Sequence, residues 1–230
     1  MRPSLLDPLF APVSVLPGIG PKIAKLLETL LGTAPGREAT VLDLAFHLPH
    51  AVIDRSRRPG IAYSENGDTV TLDVRVERHM PAPRGSRAPY KVIAADATGS
   101  IALVFFHPRQ DWLEKVLPVG GRRIISGKVE WFSDRPQMVH PDYVLTPEEA
   151  ETMPAIEPVY PMTAGLAQRT LLKGIAGALD RLPMFPDWLD PEFRARQSWP
   201  DFDEALKRVH RPEGARDLDP ASPALSRLAY

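Results

Sequence analysis

The 230-residue sequence predicts an α+β fold: a five-stranded OB-fold β-barrel flanked by helical segments on its N-terminal and C-terminal sides. Three observations predict it. Residues 68 to 79, "DTVTLDVRVERH", alternate apolar and polar side chains, the period of a strand buried on one face. Four more strand-like stretches follow before residue 146, with a helical stretch between the third and the fourth. The 26 prolines gather at 81 to 89, at 136 to 161 and from 183 onward, so long helices are not expected outside the strands.

Residues 1 to 60 read as helical. In "LPGIGPKIAKLLETLLG", Ile23, Leu26, Leu27, Leu30 and Leu31 share one stripe after a glycine-proline start. "TVLDLAFHLP" is a second, short helix that Thr40 can cap and Pro49 ends, and "HAVIDRSRRPG" reads as the loop behind it.

The barrel is expected over residues 61 to 147. In its first strand Val70, Leu72, Val74 and Val76 form the inner face. The loop "MPAPRGSRAP" leads to "YKVIAAD", and the turn "ATGS" leads to "IALVFF". "PRQDWLEKVLP" has helical spacing; "GRRIISGKVEWF" and "QMVHPDYVL" are the last two strands, joined at "SDRP". A three-stranded meander, a helix and two strands is the element order of the OB-fold, whose ligand surface lies on strands two and three and on two loops. Those loops are 80 to 89 and 133 to 136 here, and they carry Arg84, Arg87 and Arg135.

Residues 148 to 230 are short helices in a proline-rich connector, with too few long apolar faces for an independent core. This tail is expected to lie against the barrel or against something outside the chain.

With 43% apolar residues the chain can bury a real core. Its 28 basic and 29 acidic residues leave a net charge of -1, so any nucleic-acid binding must come from a local patch. The absence of cysteine excludes disulfides and thiol chemistry. No secretory pattern or apolar run of about 18 residues is present, and a soluble cytoplasmic protein is expected.

Catalytic signals are weak. "GRRIISGKV", Gly121 to Val129, places five residues between its glycines where a phosphate-binding loop has four, and Val129 stands where a magnesium-binding hydroxyl is needed. His47 and His50 straddle Pro49 without a carboxylate cluster, so no metal is expected. No nucleophile stands with a base.

Binding signals are stronger. Successive strand residues face opposite ways, so if Ile101, Leu103 and Phe105 fill the barrel, Phe106 points outward. Exposed rings beside arginines suit stacking on unpaired bases. Trp112, early in the helix that follows, has two readings: a second stacking ring, or an i, i+4 packing partner of Val116. Arg109 lies between the two rings and joins the candidate DNA-contacting set. Arg55, Arg57 and Arg58 form the densest basic cluster and are candidate phosphate contacts, with a solvated loop as the other reading. "LPGIGPKIAKLL" is similar to a helix-hairpin-helix motif in which amides at the helix start hold a phosphate beside Lys22; a turn joining packed helices explains it equally.

Taken in order, "LPGIGPKIAKLL", "VLDLAFHLPHAVIDRS", "DATGSIALVFFH", "LPVGGRRIISGKV", "QMVHPDYV", "PVYPMTAGLAQRTLLKGI" and "EALKRVHRP" resemble the N-terminal region of the RecG family of bacterial ATP-dependent branch-migration helicases. The resemblance covers nearly the whole chain. It implies a wedge domain that inserts at the branch point of stalled forks and Holliday junctions, supporting fork regression, recombination and repair. The family's stacking aromatics would correspond to Phe106 and Trp112, here separated by "HPRQD", a longer spacing than expected. The chain ends at "SRLAY", about where the first helicase domain would begin, so this piece is expected to bind DNA without hydrolysing ATP. ATP and magnesium are implied for the full-length protein, with no cofactor in this piece. The implied partners are branched DNA and the motor domains of the same chain, with no membrane and a monomeric state. The rival expectation is an OB-fold protein-interaction or spacer module without DNA contact.

Overall fold

Proline and glycine keep the helices short, as their spacing predicts. In the computed structural model, which describes residues 3–83, 86, 88–132, 135–183 and 186–230, the chain begins with α1 (Asp7–Phe10), α2 (Pro21–Leu30) and α3 (Val41–Ala45). Leu27 of α2 is fully buried, with Ile23, Leu26, Leu30 and Leu31 packed around the same core. α3 starts with a reciprocal cap. The Asp43 amide donates to the Thr40 hydroxyl at 3.2 Å, and the Thr40 amide donates to the Asp43 carboxylate at 2.8 Å, an arrangement worth about 1 kcal/mol. The stretch expected as a loop after α3 contains a strand, β1 (Ala51–Asp54).

The barrel follows as β2 (Thr69–Met80), β3 (Tyr90–Ala95), β4 (Ser100–Phe105), α4 (Gln110–Val116), β5 (Arg122–Phe132) and β6 (Arg135–Val139). Strands neighbour one another in the order β2-β3-β4-β6-β5, and β5 pairs back onto β2, closing the wall. The β4–β6 pairing is parallel and the others are antiparallel. This is the OB-fold arrangement. Val70, Leu72, Val74, Val76, Ile101, Leu103 and Phe105 are all buried in one core, so the inner faces are those that alternation predicts.

The expected single strand over 137 to 145 is two. His140 takes a positive φ of 46° and Pro141 follows, so the chain leaves β6 and resumes as β7 (Tyr143–Leu145), which pairs with β5. At this corner the side chain of Met138 and the Cα of Pro141 approach Gly127 so closely that a Cβ there would meet the Met138 sulfur at 2.9 Å. Gly127 in "GRRIISGKV" thus serves sheet packing, and that stretch is strand β5.

The tail contains β8 (Ile156–Val159), α5 (Gln168–Leu179), α6 (Pro191–Arg196), α7 (Phe202–His210) and α8 (Pro223–Ala229). β8 pairs with β1. The chain divides into Met1–Val52 with Pro158–Tyr230 as one unit and Ile53–Glu157 as the other. The expected three-part division at 60 and 147 is therefore replaced by two units. The tail's short apolar faces are too small alone, and they share a core with the N-terminal helices: Leu171, Ile175, Leu179 and Leu206 pack with Leu9, Leu16, Leu27 and Leu44.

That helical core holds a buried polar chain. The His210 Nε2–H donates to the Ala45 carbonyl at 2.7 Å, and the Tyr160 hydroxyl donates to Nδ1 at 2.9 Å, so both ring nitrogens are used by a neutral imidazole. Burial pushes the His210 pKa below its ordinary 6.5, against the opposing effect of the Ala45 hydrogen bond. The unfolded chain takes up a proton near pH 6.5 that the folded one resists, so stability is unaffected above that pH and falls as pH drops below it. Thermal melts should therefore show a Tm that declines from about pH 7 toward about pH 5. In His210→Gln, which cannot take up the proton, the deficit relative to wild type should shrink on acidification; a constant deficit would show that His210 does not control the transition.

Candidate nucleic-acid interface

The place where β4 ends is built by two residues in left-handed backbone conformation. His107 has φ 51° and His140 has φ 46°, a conformation costing a non-glycine residue on the order of 1–3 kcal/mol. The first turns the chain out of β4 directly after Phe106. The second stops β6 beside it. The Phe106 amide donates to His140 Nε2 at 3.2 Å, and the His140 amide donates to the Val104 carbonyl at 2.9 Å. The imidazole stands edge-on to Phe105 at 6.0 Å and tilted against Phe106 at 5.7 Å. Phe105 is 6% exposed and Phe106 is 48% exposed, as alternation requires.

Trp112, in the first turn of α4, is 52% exposed, so its ring is accessible to a ligand. Phe106, Trp112 and Arg109 line one groove of about 500 Å³, together with Phe105, His107, Pro108, His140 and Pro141. Among the described residues no carboxylate lines it. The groove offers two accessible rings, a guanidinium and two imidazoles, which suits a flat, electron-rich ligand carrying negative charge.

A second cleft of about 520 Å³ lies on the outer wall of the barrel, where Arg78, Ile93, Ala102, Trp131, Arg135 and Pro136 contribute. Arg135 is thus exposed but is not among the residues lining the aromatic groove, where a single binding rim was expected. Arg78 and Trp131 were missed by the sequence reading. Continued alternation would send Arg78 inward with Val70 to Val76. A register shift between Val76 and Arg78, a β-bulge, reverses the parity, so Arg78 and Met80 face out and His79 turns in. His79 then donates from Nε2 to the Leu117 carbonyl at 2.7 Å and accepts at Nδ1 from the Tyr90 hydroxyl at 2.9 Å. Trp131 and Phe132 are adjacent aromatics at a strand end, the same signal that singled out Phe106. Phe132 is 72% exposed; Trp131 is 36% exposed, and its indole N–H donates to the Ser64 carbonyl at 3.1 Å.

Arg55 is corrected. Its side chain is 2% exposed and it makes no phosphate contact surface. The guanidinium donates to Glu157 at 2.7 Å, to the Ser126 hydroxyl at 2.8 Å and to Asp142 at 3.1 Å, with the Tyr143 ring 4.8 Å from its carbon. Each of the three guanidinium nitrogens donates to an acceptor on β5, β8 or the segment before β7, and so little of the side chain is exposed that it presents no surface to a ligand. Arg57 and Arg58, two and three residues on, are exposed, and Arg58 adds to the field that, after the Arg122 hydrogen bond, holds the Asp73 carboxyl below its ordinary pKa. Lys22 is exposed at the start of α2 in the helical unit, behind Gly18 at φ 81°. Arg84 and Arg87 lie outside the described residues. Among the described residues no group of three His, Asp or Glu side chains could hold a metal ion, and no helix is long and apolar enough to cross a membrane.

Residues 12–181 match the family model described as the RecG wedge domain. The chain is similar to the ATP-dependent DNA helicase RecG of Acidithiobacillus ferridurans, 29% identical over 223 residues covering 94% of this chain and 30% of that one. It is likewise 29% identical to the RecG of Escherichia coli (strain K12) over 226 residues, 92% of this chain and 29% of the other. The chain therefore spans about 30% of the length of the curated relatives it matches. A solved RecG bound to a three-way DNA junction covers 96% of this chain with a TM-score of 0.73 at 21% identity, over 29% of its own length, a likeness of fold.

The burial of Arg55 has a measurable consequence. Arg55→Ala leaves Glu157 without its buried cation and should cost about 3 kcal/mol, the lower end of the usual range because Asp142 is half exposed. Arg57→Ala should change stability by less than about 0.5 kcal/mol. Denaturant melts of the two variants compare them directly, and equal effects would refute the distinction.

Proposed function

From the premise that this chain belongs to the RecG wedge domain family, we propose that it is the DNA-binding wedge of an ATP-dependent helicase and engages branched DNA at forks and Holliday junctions. The observation that carries this reading is the groove in which Phe106 and Trp112 stand exposed with Arg109 between them in sequence and, among the described residues, no carboxylate lining it. A paired duplex covers the faces of its own bases, so exposed rings have stacking partners only where strands part. A branch point is such a place. Arginines at the groove and on the barrel wall contact phosphates, which fixes position without reading sequence, so recognition follows the shape of the junction. In this reading ATP and magnesium act on motor domains elsewhere in the longer protein, and the wedge holds the branch while those domains draw on the duplex arms. The same wedge then serves fork regression and branch migration in recombination and repair.

The solved relative bound to a three-way junction supports the choice of ligand. The net charge of -1 keeps one rival in the test, a docking module for another protein through the same rings. Mobility shifts of the chain on three-way and four-way junctions should exceed those on linear duplex of equal length, with affinity falling steeply as salt rises. Phe106→Ala should weaken junction binding by about tenfold, within the roughly 1–3 kcal/mol of one base stack, and leave Tm unchanged because the ring is half exposed. Equal affinity for linear and branched DNA would defeat the proposal. A large fall in Tm would instead make Phe106 a packing residue, and binding that survives high salt only with a protein partner would favour the rival.

A further inference from the structure

We propose that His140 is a positioning residue for the stacking ring: its imidazole holds Phe106 in one posture, with about half of that residue open to a base, and acts on DNA through Phe106 rather than by touching it. The inference rests on the wedge reading above and deepens it, naming what prepares the site before a ligand arrives.

Register shows what the imidazole replaces. β4 and β6 run parallel and pair Val104 with Val139, and the His140 amide donates to the Val104 carbonyl at 2.9 Å. One step further in the same register, a regular parallel ladder would have the Phe106 amide donate to the main-chain carbonyl of residue 140. The left-handed turn at His140, φ 46°, ends the ladder before that bond, and the Phe106 amide donates instead to His140 Nε2 at 3.2 Å. A side-chain nitrogen thus stands in for a backbone acceptor, at the one residue whose ring the groove displays from the end of β4.

Packing leads to the same assignment. The imidazole lies edge-on to Phe105 at 6.0 Å and 87°, and against Phe106 at 5.7 Å and 37°, so it links the buried ring to the outward one. An outward phenylalanine without such a neighbour exchanges between staggered χ1 wells, and ordering it during binding costs affinity. A ring already held has given up that freedom in the free chain. The corner itself does not require histidine: asparagine or glycine takes a left-handed φ with less strain. Nor does burial hold the imidazole there, since His140 is exposed. What histidine supplies at this corner is reach, from the end of β6 to the amide and ring of Phe106.

The experiment uses the whole chain, first without ligand and then with a three-way junction. In the free chain, three-bond NMR couplings to the Phe106 Cγ should report one χ1 rotamer, and rotamer averaging in His140→Asn, which suits the corner but is too short to reach Phe106. His140→Asn should keep or raise Tm and weaken junction binding about fivefold, the scale of ordering one side chain. His140→Gln, with an acceptor of similar reach, should bind within about twofold of wild type. In a Phe106→Ala background, His140→Asn should weaken binding by less than about twofold further, because a residue that acts through the ring then has nothing to act on. Equal losses with and without Phe106 would make His140 a DNA contact in its own right and overturn the inference. A single rotamer retained in His140→Asn, or a fall in Tm of several degrees, would overturn it too. In each of these cases Phe106→Ala still weakens junction binding and the wedge reading stands. Rotamer averaging on loss of His140, in a chain indifferent to junctions, would keep the positioning of the ring and remove the wedge reading.

Discussion

The pairing of β2 on both of its edges is the constraint from which the rest of the barrel follows. Residues 69 to 75 bond to β5 and residues 75 to 80 bond to β3, so one strand serves as both edges of the sheet and no edge of that wall is left open there. A strand can do this only by bending, and the bend is the bulge between Val76 and Arg78. Closure then converts the plain alternation of strands into a strict division between core and solvent. Leu72, Leu103 and Ile125 reach zero exposure, and whatever stands at the opposite parity must be displayed.

Display makes adjacent aromatics informative. A closed wall cannot hide both members of Phe105 and Phe106, and the outward one was assigned from the sequence with its exposure correct. The same rule applied to Trp131 and Phe132 would have drawn attention to the second cleft, and the element order alone specified the OB-fold. These parts were legible because they depend on a period of two and on where glycine and proline interrupt it.

The parts that were not legible depend on contacts across long sequence separations. Nothing local distinguishes Arg55 from Arg57; only the arrival of Glu157, Ser126 and Asp142 around one of them makes it interior. The densest cationic run therefore leaves phosphate contact and a solvated loop both open from sequence, and one of its members is instead a structural anchor. The bulge that re-aims Arg78 has no glycine to announce it, and its turn inward of His79 is stabilised by Leu117 and Tyr90 from distant elements. The tail was judged coreless because its faces were weighed alone, whereas Leu171 and Ile175 pack with Leu27 and Leu44 from the other end of the chain.

A net charge of -1 and a polyanionic ligand are compatible because charge acts locally. At physiological ionic strength a charge is screened beyond about 8 Å, so a binding surface responds to its own neighbourhood rather than to the total. In this chain many carboxylates are already committed: Asp73 to Arg122, Asp43 to Arg37 and to the cap of α3, Asp96 to a turn, Asp187 to Arg227. Acids that close turns, cap helices and neutralise buried guanidinium groups contribute to the count while lying off the two clefts. Arg78, Arg109 and Arg135 line those clefts without a partner among the described residues. Composition averages these populations together, and only the fold separates the cations that hold the protein from those that are free to hold something else.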